Sequence, residues 1–138
     1  MRMSRPAVLA IAAVAAAGCT GEPPTVSDGV LKVTTEASAL KLANVSAAPL
    51  HYIVIERETL ALVDWIPCTG GPPCPTLAAG GSTRMLYTTV LGYTASAEEG
   101  VAYWWREVTG GTGVPFADSL HQLVVSLRPG VWPGVTAP

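Results

Sequence analysis

His51-Tyr52-Ile53-Val54-Ile55-Glu56-Arg57-Glu58 decides the fold class of this chain. Its centre is a run of β-branched and aromatic side chains, the types that fit a pleated surface. Successive strand side chains point to opposite faces, so Tyr52, Val54 and Glu56 oppose Ile53, Ile55 and Arg57. Both sets are largely apolar, which is the pattern of a central strand covered on two sides.

Working outward, Asn44-Val45-Ser46-Ala47-Ala48-Pro49 is a turn, and the strand before it, Ala39–Val45, sets Leu40 and Leu42 against Lys41 and Ala43. Further strands are expected at Val30–Glu36, Leu60–Ile66, Thr83–Val90, Val101–Thr109 and Leu120–Arg128, bounded by Gly, Pro, Asn and Ser at spacings of about 8–15 residues. In the last of them Leu123, Val125 and Leu127 face inward, against Gln122, Val124 and Ser126. No stretch after the N-terminal segment has a three-to-four-residue helical period. The chain is therefore expected to be all-β, a single antiparallel β-sandwich of about seven strands over residues 30–128, with a Pro/Gly-rich tail at 129–138. The expected core is Leu31, Val33, Leu40, Leu42, Ile53, Ile55, Trp65, Leu86, Trp105, Leu123, Val125 and Leu127.

The 138 residues allow one domain, and 8 Lys+Arg against 10 Asp+Glu exclude the broad basic surface that nucleic acid requires. Only 13% of residues are charged, which argues against a disordered chain. Both positive charges of the first 18 residues, Arg2 and Arg5, precede the apolar run Ala7 to Ala17. A positive end followed by a short apolar stretch is the pattern of a helical secretory signal. The run is too short to cross a bilayer, which takes about 20 residues. Without those two arginines, six basic residues face ten acidic ones, a formal charge of -4.

The end of that signal, Ala16-Ala17-Gly18-Cys19, resembles the bacterial lipobox, with Ala16 at the position where Leu is commoner. The resemblance implies a signal peptide at 1–18, lipidation of Cys19 and a membrane anchor of several acyl chains, each buried CH₂ contributing about 0.8 kcal/mol. Ordinary cleavage after Ala17, with Cys19 left as a thiol, is the alternative. The polar segment 19–29 that follows suits a flexible tether. Thr20 resembles the residue found after the cysteine of outer-membrane lipoproteins, so the implied location is the outer membrane or cell surface rather than the inner membrane.

Cys68 and Cys74 are separated by Thr69-Gly70-Gly71-Pro72-Pro73, and in an exported chain such a pair is expected to form a disulfide. Closing so short a loop contributes about 2–2.5 kcal/mol in the chain-entropy picture. A metal pair lacks nearby His or Cys, and the spacing is not the Cys-x-x-Cys of redox proteins.

The strand-leading segment Leu77-Ala78-Ala79-Gly80-Gly81-Ser82-Thr83, following the Leu40-Lys41-Leu42 strand and its Asn/Ser turn, resembles immunoglobulin-like and fibronectin-type-III-like modules of bacterial surface proteins. The resemblance implies an Ig-like architecture and no activity, and the inter-sheet disulfide of many Ig domains is missing.

Catalytic residue types are few: His51, His121, Asp64, Asp118, Ser119, Glu56 and Glu58. Asp118, Ser119 and His121 have the residue types of a hydrolytic triad, but triads are assembled from distant segments. Thr109-Gly110-Gly111-Thr112-Gly113-Val114-Pro115-Phe116-Ala117 lacks the Gly-Lys-Ser/Thr end of a phosphate loop and reads as a hairpin connection. No enzyme, cofactor or metal site is expected. Within Val101–Val108, Tyr103 and Trp105 share one face, Trp104 and Arg106 the other. The charge of Arg106 marks its face as outward, making Trp104 and Arg106 the candidate binding surface for a glycan, peptide or envelope protein. The expected function is a lipid-anchored cell-envelope module with a binding or structural role. The alternative is an accessory subunit that pairs through a sheet edge or the Trp104 face, and an envelope hydrolase is a distant third.

Overall fold

The computed structural model describes residues 22–71 and 73–134; the expected signal peptide and Cys19 lie outside them. Among the described residues eight strands form two antiparallel sheets. One has the order β1 (Thr25–Ser27), β2 (Leu31–Thr35), β3 (Ala39–Asn44), β6 (Ser82–Leu86). The other has the order β5 (Thr76–Leu77), β4 (Leu50–Glu56), β7 (Glu99–Thr109), β8 (Pro115–Ser126). The chain changes sheets at β3–β4, β5–β6 and β6–β7, connections of the Greek-key kind. The β-sandwich is as expected from the alternation.

Local chemistry builds the first sheet. At the β1–β2 turn Gly29 adopts φ +89°, and Asp28 Oδ1 accepts from the backbone N–H of Val30 and Leu31, both at 2.9 Å. These side chain–backbone bonds fix the turn and set the entry to β2. Leu31, Val33 and Thr35 are then buried while Lys32 is exposed, and β3 answers with buried Leu40, Leu42 and Asn44. Each fully buried leucine contributes about 1.5–3 kcal/mol relative to exposure. Asn44 donates through Nδ2 to the carbonyls of Ala48, Leu77 and Ala78, so the end of β3 is tied to both neighbouring connections. Beyond β6, the hydroxyl of Tyr87 donates to the Glu36 carbonyl, and burial, with Tyr93 and Glu36 nearby, pushes the phenol up to about 12.

The inter-sheet core joins Leu31, Val33, Leu40 and Leu42 to Leu50, Val54, Ala102, Trp104, Val125 and Leu127, with Tyr52, Met85 and Leu123 packed against it. Three expectations are corrected here. In β4 the residues facing the other sheet are Leu50, Tyr52 and Val54; Ile55 is fully buried as expected, but it and half-buried Ile53 lie on the other face, opposite Val101 and Tyr103 in register. Trp105 is likewise buried but faces away from the other sheet. Leu86 is 51% exposed, because Thr83 and Met85 are the half-buried residues of β6. Alternation was correct in each strand, but two apolar faces gave no basis for choosing between them.

The strand expected at Leu60–Ile66 is absent, and the strand expected to reach Glu58 ends at Glu56. Glu56 turns the chain by accepting through its carboxylate from Glu58 N at 3.0 Å and Thr59 N at 2.8 Å, capping the one-turn helix α1 (Arg57–Leu60). The strand expected to reach Val90 ends at Leu86 in a 3-10 turn, Tyr87–Thr89. Within the expected tether, Thr25–Ser27 pairs with Lys32–Thr34 as β1, so the sandwich begins before residue 30.

Candidate functional site

Trp104 is 3% exposed, which overturns its expected role as an exposed platform. Its Nε1 donates to Asp28 Oδ2 at 2.6 Å, and the ring of His121, its partner on β8, stacks on it at 4.0 Å with planes 9° apart. Arg106 places its guanidinium 5.3 Å from the Trp104 ring centroid and donates from Nη2 to Ser46 Oγ at 3.0 Å. Its Nε is buried without a partner. Arg106 is thus on the Trp104 side, as alternation requires, but that side faces the opposite sheet. Its charge sits near the β3–β4 turn, over an aromatic face that favours a cation.

The other face of β7 is covered as well. Between α1 and β5 the chain crosses it without regular structure, and Trp65 rests on Tyr103 and Trp105 with centroids 4.7 and 6.1 Å apart. Cys68 and Cys74 form the expected disulfide, with Cα atoms 5.6 Å apart, and Trp105 Nε1 donates to the Cys68 carbonyl at 2.9 Å. The bridged loop and Trp65 therefore make a cap over the outer face of the second sheet. Sequence reasoning found the bridge but not the surface that it covers. The signal for that surface was the apolar second face of β4 and β7.

The residues weighed for catalysis are scattered. His51 lies under the cap, with Nε2 3.2 Å from Glu107 Oε2, whereas His121 is exposed and stacks over the Trp104 ring. Asp118 pairs with Arg106 in register, and Ser119, at φ +41°, occupies the irregularity opposite Trp105. Asp64 is exposed, Glu56 caps α1, and Glu58 is exposed on that helix. No hydrogen bond joins the side chains of Asp118, Ser119 and His121 among the described residues. Among the described residues no group of three or more His, Cys, Asp or Glu side chains is placed to hold a metal ion.

A cleft of about 690 Å³ is lined by α1 and by the chain leading into β7, including Glu56, Glu58, Glu98 and Glu99. Three of its carboxylates are already engaged: Glu56 on the helix N–H groups, Glu98 with Arg128, and Glu99 with Arg57. No family model, curated protein or solved structure matches this chain. What it offers a partner must therefore be read from its own surface.

The most distinctive surface is β8. Among the described residues it pairs only with β7; its last residues are buried, with Thr35 Oγ1 of β2 donating to the Ser126 carbonyl at 2.8 Å, so the edge is open over residues 115–124. β4 pairs with β7 only as far as Trp105, while the β7–β8 pairing continues to Thr109 and Pro115. Arg106–Thr109 and Pro115–Asp118 thus form a two-stranded arm extending beyond the four-stranded part. Isolated two-stranded ribbons are marginal in water. The connecting turn of this one carries Val114, 63% exposed, and its second strand Phe116, 51% exposed; past the irregularity at Ser119, Leu120 is exposed on the other face of β8.

Proposed function

We propose that this chain is an exported, lipid-anchored β-sandwich that serves as an accessory subunit of an envelope protein assembly, presenting β8 to its partner. The observation that carries the reading is the open β8 edge with Phe116 and Leu120 exposed along it. Proteins commonly blunt such an edge with lysine, proline or a covering segment. Beyond its first residue, Pro115, β8 has no proline and no lysine, and Asp118 is its one permanently charged side chain. An extended partner segment would add backbone hydrogen bonds to this edge and cover Phe116 on one face of the strand and Leu120 on the other. With Trp104 buried, a glycan platform at that residue has no support.

The apolar, positively led N-terminus and Cys19 support export and anchoring, and the disulfide suits an oxidising compartment. Enzymatic activity is not part of the proposal.

A photoreactive side chain at position 116 of the membrane-anchored protein tests the assembly role. It is expected to crosslink one discrete envelope protein, and the crosslink is expected to vanish with Leu120→Lys. Absence of any crosslinked species in intact cells counts against the reading. Anchoring is tested separately, since Cys19→Ala is expected to abolish partition into detergent. Full partition of that variant refutes lipidation.

A further inference from the structure

His51 is held from both sides by oxygen atoms. Its Nε2 is 3.2 Å from Glu107 Oε2, and its Nδ1 is 2.9 Å from Thr76 Oγ1 and 3.3 Å from the Pro75 carbonyl. The Thr76 hydroxyl is itself 3.1 Å from the Cys74 carbonyl, and Gly70 N donates to Glu107 Oε2 at 2.9 Å. Carboxylate and carbonyl oxygens only accept, and a neutral imidazole has one N–H to give. If that hydrogen is on Nε2, for Glu107, then the Nδ1 lone pair faces the Pro75 carbonyl. The Thr76 hydroxyl must then turn to Nδ1 and abandon Cys74. The imidazolium satisfies every partner at once: Nε2–H to Glu107, Nδ1–H to Pro75 and Thr76, and Thr76 onward to Cys74.

We propose that His51 is a proton-operated latch, clamping the disulfide loop to the outer face of the second sheet when charged and loosening it when neutral. All the loop atoms involved lie within or beside the Cys68–Cys74 ring: Gly70, Cys74, Pro75 and Thr76. The bridge passes a movement at Cys74 to Cys68, whose carbonyl holds Trp105. Release therefore uncovers Trp105 and Tyr103, a function separate from docking at β8. Histidine is the side chain suited to such a change between about pH 5 and 8.

The surroundings leave one electrostatic partner. The recess beside His51, about 260 Å³, is lined by Pro49, Leu50, Gly71, Thr76 and Glu107. On β4 and β7 the neighbouring outward residues are Ile53, Tyr103 and Trp105, on β8 Leu120 and Gln122, and residues 65–83 contain no charged side chain. The nearest charge along the cap sequence is Asp64, which is exposed. Glu107 is thus the counter-charge, and the latch is closed while His51 carries both ring protons and opens when it loses one.

Hydrogen exchange of the Trp105 indole N–H in the oxidised full chain tests the latch. Its protection factor is expected to fall about tenfold between pH 5 and 8, with a midpoint that matches the His51 ring-nitrogen shifts. The Trp104 indole N–H, bonded to Asp28, is the internal reference. His51→Gln and Glu107→Gln are expected to remove the pH dependence, and His121→Gln to retain it. A flat wild-type profile, a midpoint that departs from the His51 titration, or a dependence that survives in His51→Gln overturns the proposal.

Discussion

The indole nitrogen of Trp104 donates to Oδ2 of Asp28 at 2.6 Å, joining β7 of one sheet to the β1–β2 turn of the other. The same carboxylate holds the turn through Val30 and Leu31, so one side chain couples a local turn to the inter-sheet core. Removing either partner should destabilise the sandwich, and removing both should cost less than the sum. Asp28→Ala is expected to cost about 1–2 kcal/mol, toward the low end for a charged hydrogen bond because the carboxylate is partly solvated. Trp104→Phe also removes volume, and a double-mutant cycle by urea unfolding should give a coupling of about 1 kcal/mol. Strict additivity would show that the bond contributes nothing.

Acid should destabilise the fold through three carboxylates. Burial opposes ionisation of Asp28 and Glu56, but hydrogen bonds outweigh it: Trp104, Val30 and Leu31 at Asp28, and the N–H groups of Glu58 and Thr59 at Glu56. The Gly134 backbone N–H, against burial and with help from Arg57, does the same for Glu99. All three are held below their ordinary values of 3.8 and 4.5. The unfolded chain therefore binds protons first, so their contribution is present above about pH 4.5 and is lost as pH falls through the folded values. Urea midpoints measured from pH 6 to pH 2 should decline chiefly below pH 4.5, and Asp28→Asn should flatten part of that decline. At the alkaline end Tyr87 works in the opposite direction. Its phenol is raised to about 12, so its contribution is complete below about pH 10 and is lost from there to about pH 12.

Strand-level structure was legible wherever one face of a strand was polar. Lys32 and Lys41 mark the solvent side of β2 and β3, and Leu31, Val33, Leu40 and Leu42 follow as core. The same logic failed on β4 and β7 because the cap makes both faces apolar, and which set meets the other sheet depends on contacts remote in sequence. Leu60–Ile66 has the aliphatic and aromatic content of a strand. It is diverted by Glu56, whose capping bonds are visible only when the helix exists. Asp28 read as part of a polar tether for a related reason: its partner Trp104 lies 76 residues away. The disulfide, by contrast, is local, and spacing alone was enough to find it. The open edge of β8 was not legible, since nothing local says which strand ends a sheet.

Gly92 should be intolerant of any side chain. It adopts φ +80°, and a Cβ built there would lie 2.0 Å from Thr59 Oγ1 and 2.4 Å from Thr59 Cβ. Gly92→Ala is expected to cost at least about 2 kcal/mol, combining backbone strain with a clash against α1. Thr59→Ala should not rescue it, because the Thr59 Cβ itself is within the clash. Thermal unfolding of the single and double variants checks both statements, and a neutral Gly92→Ala would show that α1 moves aside freely.

The cap should be lost before the sandwich. Cys68→Ser with Cys74→Ser removes the ring closure, a loss of about 2–2.5 kcal/mol in the chain-entropy picture. The strain of that loss falls on segments anchored to the outer face by Trp65, by Trp105 Nε1 and by the His51 contacts, not on the inter-sheet core. Two probes should therefore separate in the double variant. Quenching of Trp65 and Trp105 by acrylamide should rise at denaturant concentrations where the far-UV signal of the sheets is unchanged. Trp104, enclosed between the sheets, should become quenchable only with global unfolding. To assign the signals, each tryptophan is replaced by Phe in turn. Coincident transitions for all probes would mean that the cap is integral to the cooperative unit, so that the second face of β7 is as necessary to folding as the first.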